Sequence, residues 1–354
     1  MECGVGSYSE SLARALARRP DVEVAVLADR RAAEREPDEP YKTYAVIETW
    51  RGEDFKRVEE LVRDFKPDII HIQYPTLAYT RDLPWLLPAY LWRFRAPVVQ
   101  TWHEYYPNEI GPTWRDFALA LTPGGVIVVR PRYLQTMPWW YRLLLWHKPF
   151  VFIPNASSIP KVVLSPAERA EIRARYVPAG KSLVSFFGFF YEHKGIDDLI
   201  EAVDPEKHHL LLVGSPQPGD PYQAKLLERL SQRPLSTFIS LAGYLPGEDA
   251  ARVLAASDAV ALPYRRGGGS WNTSIQAAVL QGTFTLSTSF EEHGYDPWKN
   301  IYYARPGDVA DLREGLAAHI GTRNLGENED NLPPTWENVV ERHLAFYSRH
   351  LKSS

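Results

Sequence analysis

Short apolar runs and amphipathic helical patterns alternate along the whole of this chain, and that alternation restricts its fold more than any other feature. Strand followed by helix, repeated many times, is the pattern of parallel sheets covered by helices. In the first half, strand-like runs fall at Val22–Leu27, Ile69–Gln73, Val98–Thr101, Val126–Val129 and Phe150–Ile153. A helix is predicted over 7–19, where Tyr8, Leu12 and Leu16 recur on one face, and another over 55–65. The breaker pair Pro154-Asn155 then interrupts the rhythm, and a domain boundary is placed there. In the second half the strands are predicted at Leu183–Phe187, His209–Val213, Phe238–Leu241, Ala259–Leu262 and Thr283–Leu286. Helices are expected over 165–176, 196–203, 221–230, 247–256, 273–280 and 309–320. A last helix over 335–349 follows Pro333-Pro334, and 321–331 is polar and expected to be a mobile loop. The expected domains are 1–153 and 154–332, with 333–354 packing back on the first.

Composition narrows the class. The chain has 354 residues, 45% of them apolar and 24% charged, as in a soluble globular protein of two domains. A net charge of −4 argues against nucleic acid as a partner. The single Cys3 excludes an internal disulfide and a cysteine-based zinc site. No run of about 18 apolar residues is present to span a membrane, and the start lacks the basic-then-apolar pattern of a signal peptide. The expected location is cytoplasmic. A doubly wound domain begins with a strand before its glycine turn. Here Gly4-Val5-Gly6 stands almost at the start, so either the start is incomplete or the first sheet lacks one central strand.

Two segments in the second half and one in the first can carry chemistry. Gly188-Phe-Phe-Tyr-Glu-His-Lys194-Gly195 follows a strand and opens a helix. A helix N-terminus favours negative charge, so a lysine placed there makes sense when an anion binds between the two. Gly267-Gly268-Gly269-Ser270-Trp271-Asn272-Thr273-Ser274 leads from another strand into another helix. Its cap residues and its consecutive N–H groups are expected to form an anion nest. Gln276 lies one turn inside that helix, where it could meet ribose hydroxyls. One cation and two helix N-termini aimed at one place suit a diphosphate, and a nucleotide-sugar diphosphate is the simplest such ligand. In the first half, Trp102-His103-Glu104 follows a strand end, where His103 can serve as acid, base or hydrogen-bond donor. His71 lies within a strand and reads as a hydrogen-bonded core histidine. Asp197-Asp198 and Glu291-Glu292 read as solvated or capping residues, and no metal site is expected.

In this order and spacing the motifs resemble the retaining glycosyltransferases of the GT-B fold, in the family 4 group, over nearly the whole chain. Gly4–Gly6 looks like the family's first loop. Pro67-Asp68-Ile69-Ile70-His71, Thr101-Trp102-His103-Glu104 and Ile153-Pro154-Asn155 are similar to its strand, T-x-H-D/E and hinge motifs. Gly188–Gly195 is similar to G-R-L-x-x-x-K-G. Gly243, Ser257-Asp258, Leu262-Pro263-Tyr264, Gln276-Ala277-Ala278 with Gly282, Asn300 to Gly307, and Trp336 fit the remainder. The resemblance implies an α/β chain of two Rossmann-like domains facing a central cleft. The second domain would hold the nucleotide-sugar donor and the first a glycan or lipid-linked acceptor, with retention and without metal or other cofactor. It implies that Lys194 binds the diphosphate with help from Gly188, Gly269, Ser270, Thr273 and Ser274. Gln276 would face the ribose, His103 the sugar, and Gly4 and Gly6 the sugar or diphosphate.

The chain departs from the family pattern at Phe189, where an Arg is usual, and at Gly268, where the first of two Glu is usual. Losing a charge-assisted hydrogen bond of about 1.5–3 kcal/mol would slow departure of the leaving group roughly ten- to a hundredfold. Arg265 and Arg266 are the candidate substitutes. The second Glu falls at Gln276, or at Ala277 when counted back from Gly282.

Trp and Tyr beside basic residues at 130–148, and again at 83–94, suit a membrane interface as well as ordinary helix cores. A lipid-linked acceptor and a peripheral position at the inner face of the membrane would follow from the former. Two other functions fit parts of the chain. An NAD-dependent oxidoreductase would use Gly4, Gly6, Ser9 and Asp29; a nucleotide-sugar-binding protein without turnover would explain Phe189 and Gly268.

Overall fold

The computed structural model describes residues 4–34, 39–74, 83–94, 96–103, 120–122, 124–217, 219–324 and 332–351. The chain divides into two units, Met1–Asn155 with Pro334–Ser354, and Ala156–Pro333.

In the first unit, helix α1 (Gly4–Ala17) leads to a two-stranded parallel sheet of β1 (Ala25–Asp29) and β2 (Lys42–Ile47). A second parallel sheet has the order β3 (Ile70–Tyr74), β4 (Val98–Trp102), β5 (Gly125–Val128), β6 (Phe150–Phe152). Helices α2 (Phe55–Phe65), α3 (Leu83–Leu91) and α4 (Trp139–Leu144) flank these strands. All four residues of β5 are buried, as expected of a parallel strand covered on both faces. Leu87 and Leu91 of α3 pack with Ile47, Trp50, Val58 and Val98, so their face of the 83–94 segment is core. The side chains of Trp85 and Trp92 lie outside the described residues. Tyr133, Met137, Tyr141 and Leu145 of the 130–148 segment are likewise core, grouped with Trp102 and Val128. Lys148 does not join an exposed basic fringe. It is buried, its Nζ donates to the Thr122 carbonyl, and burial lowers its pKa to about 8.

The second unit holds one seven-stranded sheet in the order β12 (Gly294–Asp296), β13 (Ile301–Ala304), β11 (Thr285–Thr288), β10 (Ala259–Leu262), β7 (Ser182–Phe187), β8 (His208–Val213), β9 (Ile239–Gly243). Neighbours are parallel except β12 and β13. Around it pack α5 (Pro166–Tyr176), α6 (Ile196–Ala202), α7 (Pro221–Ser231), α8 (Gly247–Ala256), α9 (Thr273–Leu280) and α10 (Val309–His319). Ser165 starts α5 with a reciprocal capping box: its Oγ accepts from Glu168 N, and its own N–H donates to the Glu168 carboxylate at 2.9 Å. Asp258 joins α5 to the sheet by accepting from Arg169, Arg173 and the Leu183 amide.

The terminal helix α11 (Trp336–Leu351) belongs to the first unit. Its Phe346 and His350 lie against Gly125 of β5, where a Cβ would overlap them. Three strands escape the sequence pattern: β2, β12 and β13. The expected loop over 321–331 is partly fixed. Asn300 Nδ2 donates to the Thr322 carbonyl at 3.0 Å, Arg323 Nη1 to Thr283 Oγ1 at 2.9 Å, and Asn324 Nδ2 to the Trp298 carbonyl at 2.8 Å. Residues 325–331 lie outside the described residues.

Candidate active site

The strand order of the second unit reverses between β7 and β10. From β7 the chain steps through β8 to β9, then returns to β10 and steps the other way to β11 and β13. Ligands of open parallel sheets bind beyond the carboxyl ends of the strands at such a switch point, because the loops leaving two neighbouring strands part there. Those loops are 188–195 and 263–272, the two segments singled out by their glycines and lysine.

Glycine and one ion pair set the loop geometry. Beyond Gly188, at φ 140°, the chain makes a 3-10 turn over Glu192–Lys194 and enters α6 through Gly195 at φ 73°. A Cβ on Gly195 would overlap the Pro263 carbonyl oxygen, so the loop from β10 lies directly against this residue. The Arg265 amide donates to the His193 carbonyl at 2.9 Å. Its guanidinium donates twice to Asp198 of α6, through Nε at 3.0 Å and Nη2 at 2.7 Å. Gly195→Ala is therefore expected to destabilise the second unit by about 1–3 kcal/mol from backbone strain alone. Chemical denaturation measures this, and an unaltered midpoint would contradict the close approach.

Four of the residues at this end of the sheet come together. Gly188 turns its bare Cα towards Ser274, whose Oγ lies 3.5 Å from the position a Cβ would take. Lys194 Nζ stands 4.5 Å from the centre of the Tyr264 ring, a cation–π arrangement. Tyr264 is buried and its hydroxyl is hydrogen-bonded to Ser274. His193 has its pKa lowered to about 4, first by burial and then by the charges of Lys194 and Arg266. His193 is thus neutral at pH 7, while two cations approach the same point. Phe189, which stands where an Arg was looked for, tilts against Tyr191 at 5.8 Å, and Tyr191 stacks on His193. Of the two candidate substitutes, Arg265 is committed to Asp198; Arg266 is the one whose charge reaches His193.

The glycine run is not an anion nest. Gly267 N donates to the Tyr264 carbonyl at 2.9 Å, Gly268 N to the Thr288 carbonyl at 2.6 Å, and Gly269 N to Asn272 Oδ1 at 2.9 Å. Three N–H groups expected to meet a ligand are spent within the loop and on β11 instead. Because Asn272 spends its side chain on Gly269, it does not cap α9, and the positive end of that helix stays without a side-chain cap. A Cβ on Gly268 would press on Tyr264, Ile275 and Ser287, so the packing here has no room for a glutamate. Gln276, expected to face a ribose, is 3% exposed, and its Nε2 donates to the Ser270 carbonyl at 2.7 Å. It braces the loop. Ser270 and Thr273 are exposed.

In the first unit, His103 leaves β4 beside a polar stripe on β3. His71 and Gln73 are two residues apart and share a face, and β3 pairs in register with β4, which carries Thr101. Gln73 Oε1 can only accept, so His103 Nε2, 2.8 Å away, carries the hydrogen and Nδ1 is left as an acceptor. The Gln73 amide nitrogen then donates to His71 Nε2 at 3.3 Å, which also accepts from Thr101 Oγ1 at 2.7 Å. His71 Nδ1 therefore donates to Tyr347 Oη at 2.6 Å. His71 is thus a satisfied core histidine, as read from the sequence. His343 of α11 donates from Nδ1 to the Val339 carbonyl and accepts at Nε2 from Tyr8, whose ring stands edge-on to His103 at 4.7 Å. Burial, followed by the neighbouring His343, lowers the His103 pKa to about 3, so the imidazole is neutral.

Gly4 and Gly6 do not form a turn ahead of α1; they are part of its first turns. Ser9 Oγ donates to the Val5 carbonyl, and Asp29 accepts two hydrogen bonds from the Arg31 guanidinium. The dinucleotide fingerprint lacks its turn, because both of its glycines lie inside α1. Asp197 is held by Tyr222 and Arg229, and Asp198 by Arg265, so this acidic pair is structural. Glu104 lies outside the described residues. Among the described residues no three metal-ligating side chains converge, and no helix is long and apolar enough to cross a membrane.

The chain matches the family model described as "Glycosyl transferase 4-like domain" over residues 3–185, and that described as "Glycosyl transferases group 1" over residues 181–321. No curated protein matches it. It is similar in fold to HepE of Anabaena, solved with UDP and glucose, at 17% identity and TM-score 0.70, covering 99% of this chain and 96% of the other. A glycosyltransferase of Rickettsia africae ESF-5 aligns at 14% identity and TM-score 0.76, again over 99% and 96%. Sucrose-phosphate synthase of Thermosynechococcus elongatus aligns at 18% identity and TM-score 0.71, over 99% and 94%. With two Rossmann-like α/β units and a match to one family model over more than half its length, the chain belongs to the glycosyltransferases with the 4-like domain and has the GT-B class of fold.

Proposed function

We propose that this glycosyltransferase is a metal-independent, retaining enzyme of family 4. It would move a sugar from a nucleotide-diphosphate sugar to a hydroxyl of a glycan or lipid-linked acceptor. The observation that carries the reading is Lys194 over the ring of Tyr264, whose hydroxyl is bonded to Ser274 in the first turn of α9, a helix with no side-chain cap, at the switch point of the second sheet. As the sugar–oxygen bond breaks, the departing diphosphate gains negative charge. A fixed cation and an aligned helix dipole stabilise that charge without reorganising. Gly188 allows the backbone to come close, Ser274 can donate to a phosphate oxygen, and Ser270 and Thr273 lie on the exposed rim. Gly269 serves by shaping the turn rather than by offering its N–H. HepE, solved with UDP and glucose, supports a UDP-sugar among the candidate donors. Retention rests on the resemblance of the motifs to family 4.

His103 enters this reading as a neutral imidazole held by Gln73. Its Nδ1 lone pair can accept from a sugar hydroxyl or face the positive charge that develops near the anomeric carbon; an imidazolium would oppose that charge. The setting proposed is cytoplasmic, at the inner face of a membrane. Calorimetry with UDP, GDP and ADP tests the donor site, followed by release of free sugar from the matching nucleotide sugars in the presence of a chelator. One nucleotide is expected to bind, and its sugar to be released slowly with the starting anomeric configuration. Silence towards all three nucleotides overturns the reading. Binding with no sugar released, with or without acceptors, would favour a binding protein.

A further inference from the structure

We infer that the outer face of α4 is a docking surface for a lipid bilayer bearing anionic headgroups. This helix is two-sided in an unusual way. Its inner residues Tyr141 and Leu145 are buried with Trp102. On the outer side Trp139, Leu143 and Trp146 recur at a spacing of four and then three residues, one stripe of a helical turn continued past its end. They are 71%, 62% and 80% exposed, and Trp140 beside them is also exposed. A folded chain gains nothing by leaving two indoles in water, and side chains of this size on one stripe mark a surface that something covers.

Charge and side-chain type identify what covers it. The chain as a whole is acidic, at −4, yet it contains no Asp or Glu between Asp116 and Glu168. In the first unit's share of that stretch Arg130, Arg132 and Arg142 bring positive charge; Arg132 and Arg142 are exposed, and Arg142 stands on α4 itself between Trp140 and Trp146. Tryptophan prefers the boundary between water and hydrocarbon, and nearby arginines meet phosphate headgroups there. A protein partner would not require a segment of this length free of acids. The face is also tied to the proposed chemistry. Through Tyr141 and Leu145, α4 shares a core with the strand residue immediately before His103, so a docked bilayer would hold that strand in a fixed relation to its surface. The inference does not depend on the donor site and would give a lipid-linked acceptor its means of approach.

Sedimentation of the full chain with phosphatidylcholine vesicles, with and without a third of phosphatidylglycerol, tests the assignment. Binding is expected to the anionic vesicles, weaker as salt is raised, with tryptophan emission quenched by brominated lipid. Trp139→Ser/Trp146→Ser is expected to lower the bound fraction at least about tenfold and to abolish the quenching. Arg142→Glu is expected to remove the preference for anionic lipid. Unchanged nucleotide affinity and circular dichroism show that the variants are folded, since these side chains face solvent. Failure of the wild-type chain to bind anionic vesicles overturns the inference, as does binding that the double variant leaves intact. A soluble dimer that the double variant dissociates would assign the face to a second copy instead.

Discussion

Replacing Lys194 by alanine is expected to weaken binding of the nucleoside diphosphate about 10- to 100-fold, as the loss of a charged hydrogen bond worth about 1.5–3 kcal/mol. Turnover should fall further, by about a hundred- to a thousandfold, because the diphosphate carries more charge in the transition state than in the bound donor. The variant should stay folded. Outside ligand binding, the half-buried ammonium lies over the buried Tyr264 ring, a contact of about 0.5–2 kcal/mol. The expected signature is a large loss in kcat with a small change in denaturation midpoint. Arg266→Ala should act in the same direction but more weakly, since its charge is felt at His193 from an exposed position. Nucleotide affinity and kcat both equal to wild type in Lys194→Ala would remove the cation from the mechanism.

Much of this site was readable from residue types alone, and the reasons for success and failure are physical. The helices over 55–65, 247–256 and 273–280 end where the sequence places them, because apolar spacing and breakers coincide there. The loops after β7 and β10 were found because a glycine-flanked lysine and a glycine run each follow a strongly apolar strand. Strands β2, β12 and β13 were not found. Gly-Tyr-Asp and Lys-Thr-Tyr-Ala-Val-Ile give short or partly polar runs that only pairing with a neighbour makes into strands. The sequence could not say which N–H groups remain for a ligand. That depends on the Asn272 side chain turning back to Gly269, and on Thr288 of a neighbouring strand meeting Gly268. The Gln73 brace left a faint trace, a polar residue two places after His71. Its meaning required knowing that β3 pairs with β4.

Mild acid is expected to unfold the first unit well before its carboxylates titrate. His71, His103 and His343 have pKa values lowered by burial, His103 to about 3 and His343 to about 4, from an ordinary 6.5. For His71 the hydrogen bonds give the same direction. Its Nε2 already receives Thr101 and Gln73, so a proton there would face two donors. Below pH 6.5 the unfolded chain takes up protons that the folded chain does not. Stability therefore rises with pH through this window, is complete above 6.5, and falls as the pH drops towards the folded values. Each histidine contributes about 1.4 kcal/mol per pH unit at most, so these three give a slope of about 4 kcal/mol per unit, and His350 of α11, whose pKa burial also lowers, adds in the same direction. Against a total of about 5–15 kcal/mol, a fall of two units or so is enough to unfold the unit. Between pH 6.5 and 4.5, the ordinary value of a glutamate, the histidines act almost alone. Tryptophan emission reports the right part of the chain, because of the 11 residues only Trp271 and Trp298 lie in the second unit. Urea denaturation followed by that emission should show the steep loss, and His343→Gln should reduce the slope by about a quarter to a third, by removing one titrating ring. A first unit equally stable at both ends of the window would mean that the three imidazoles are not held neutral by the fold, and the tautomer assigned to His103 would go with them.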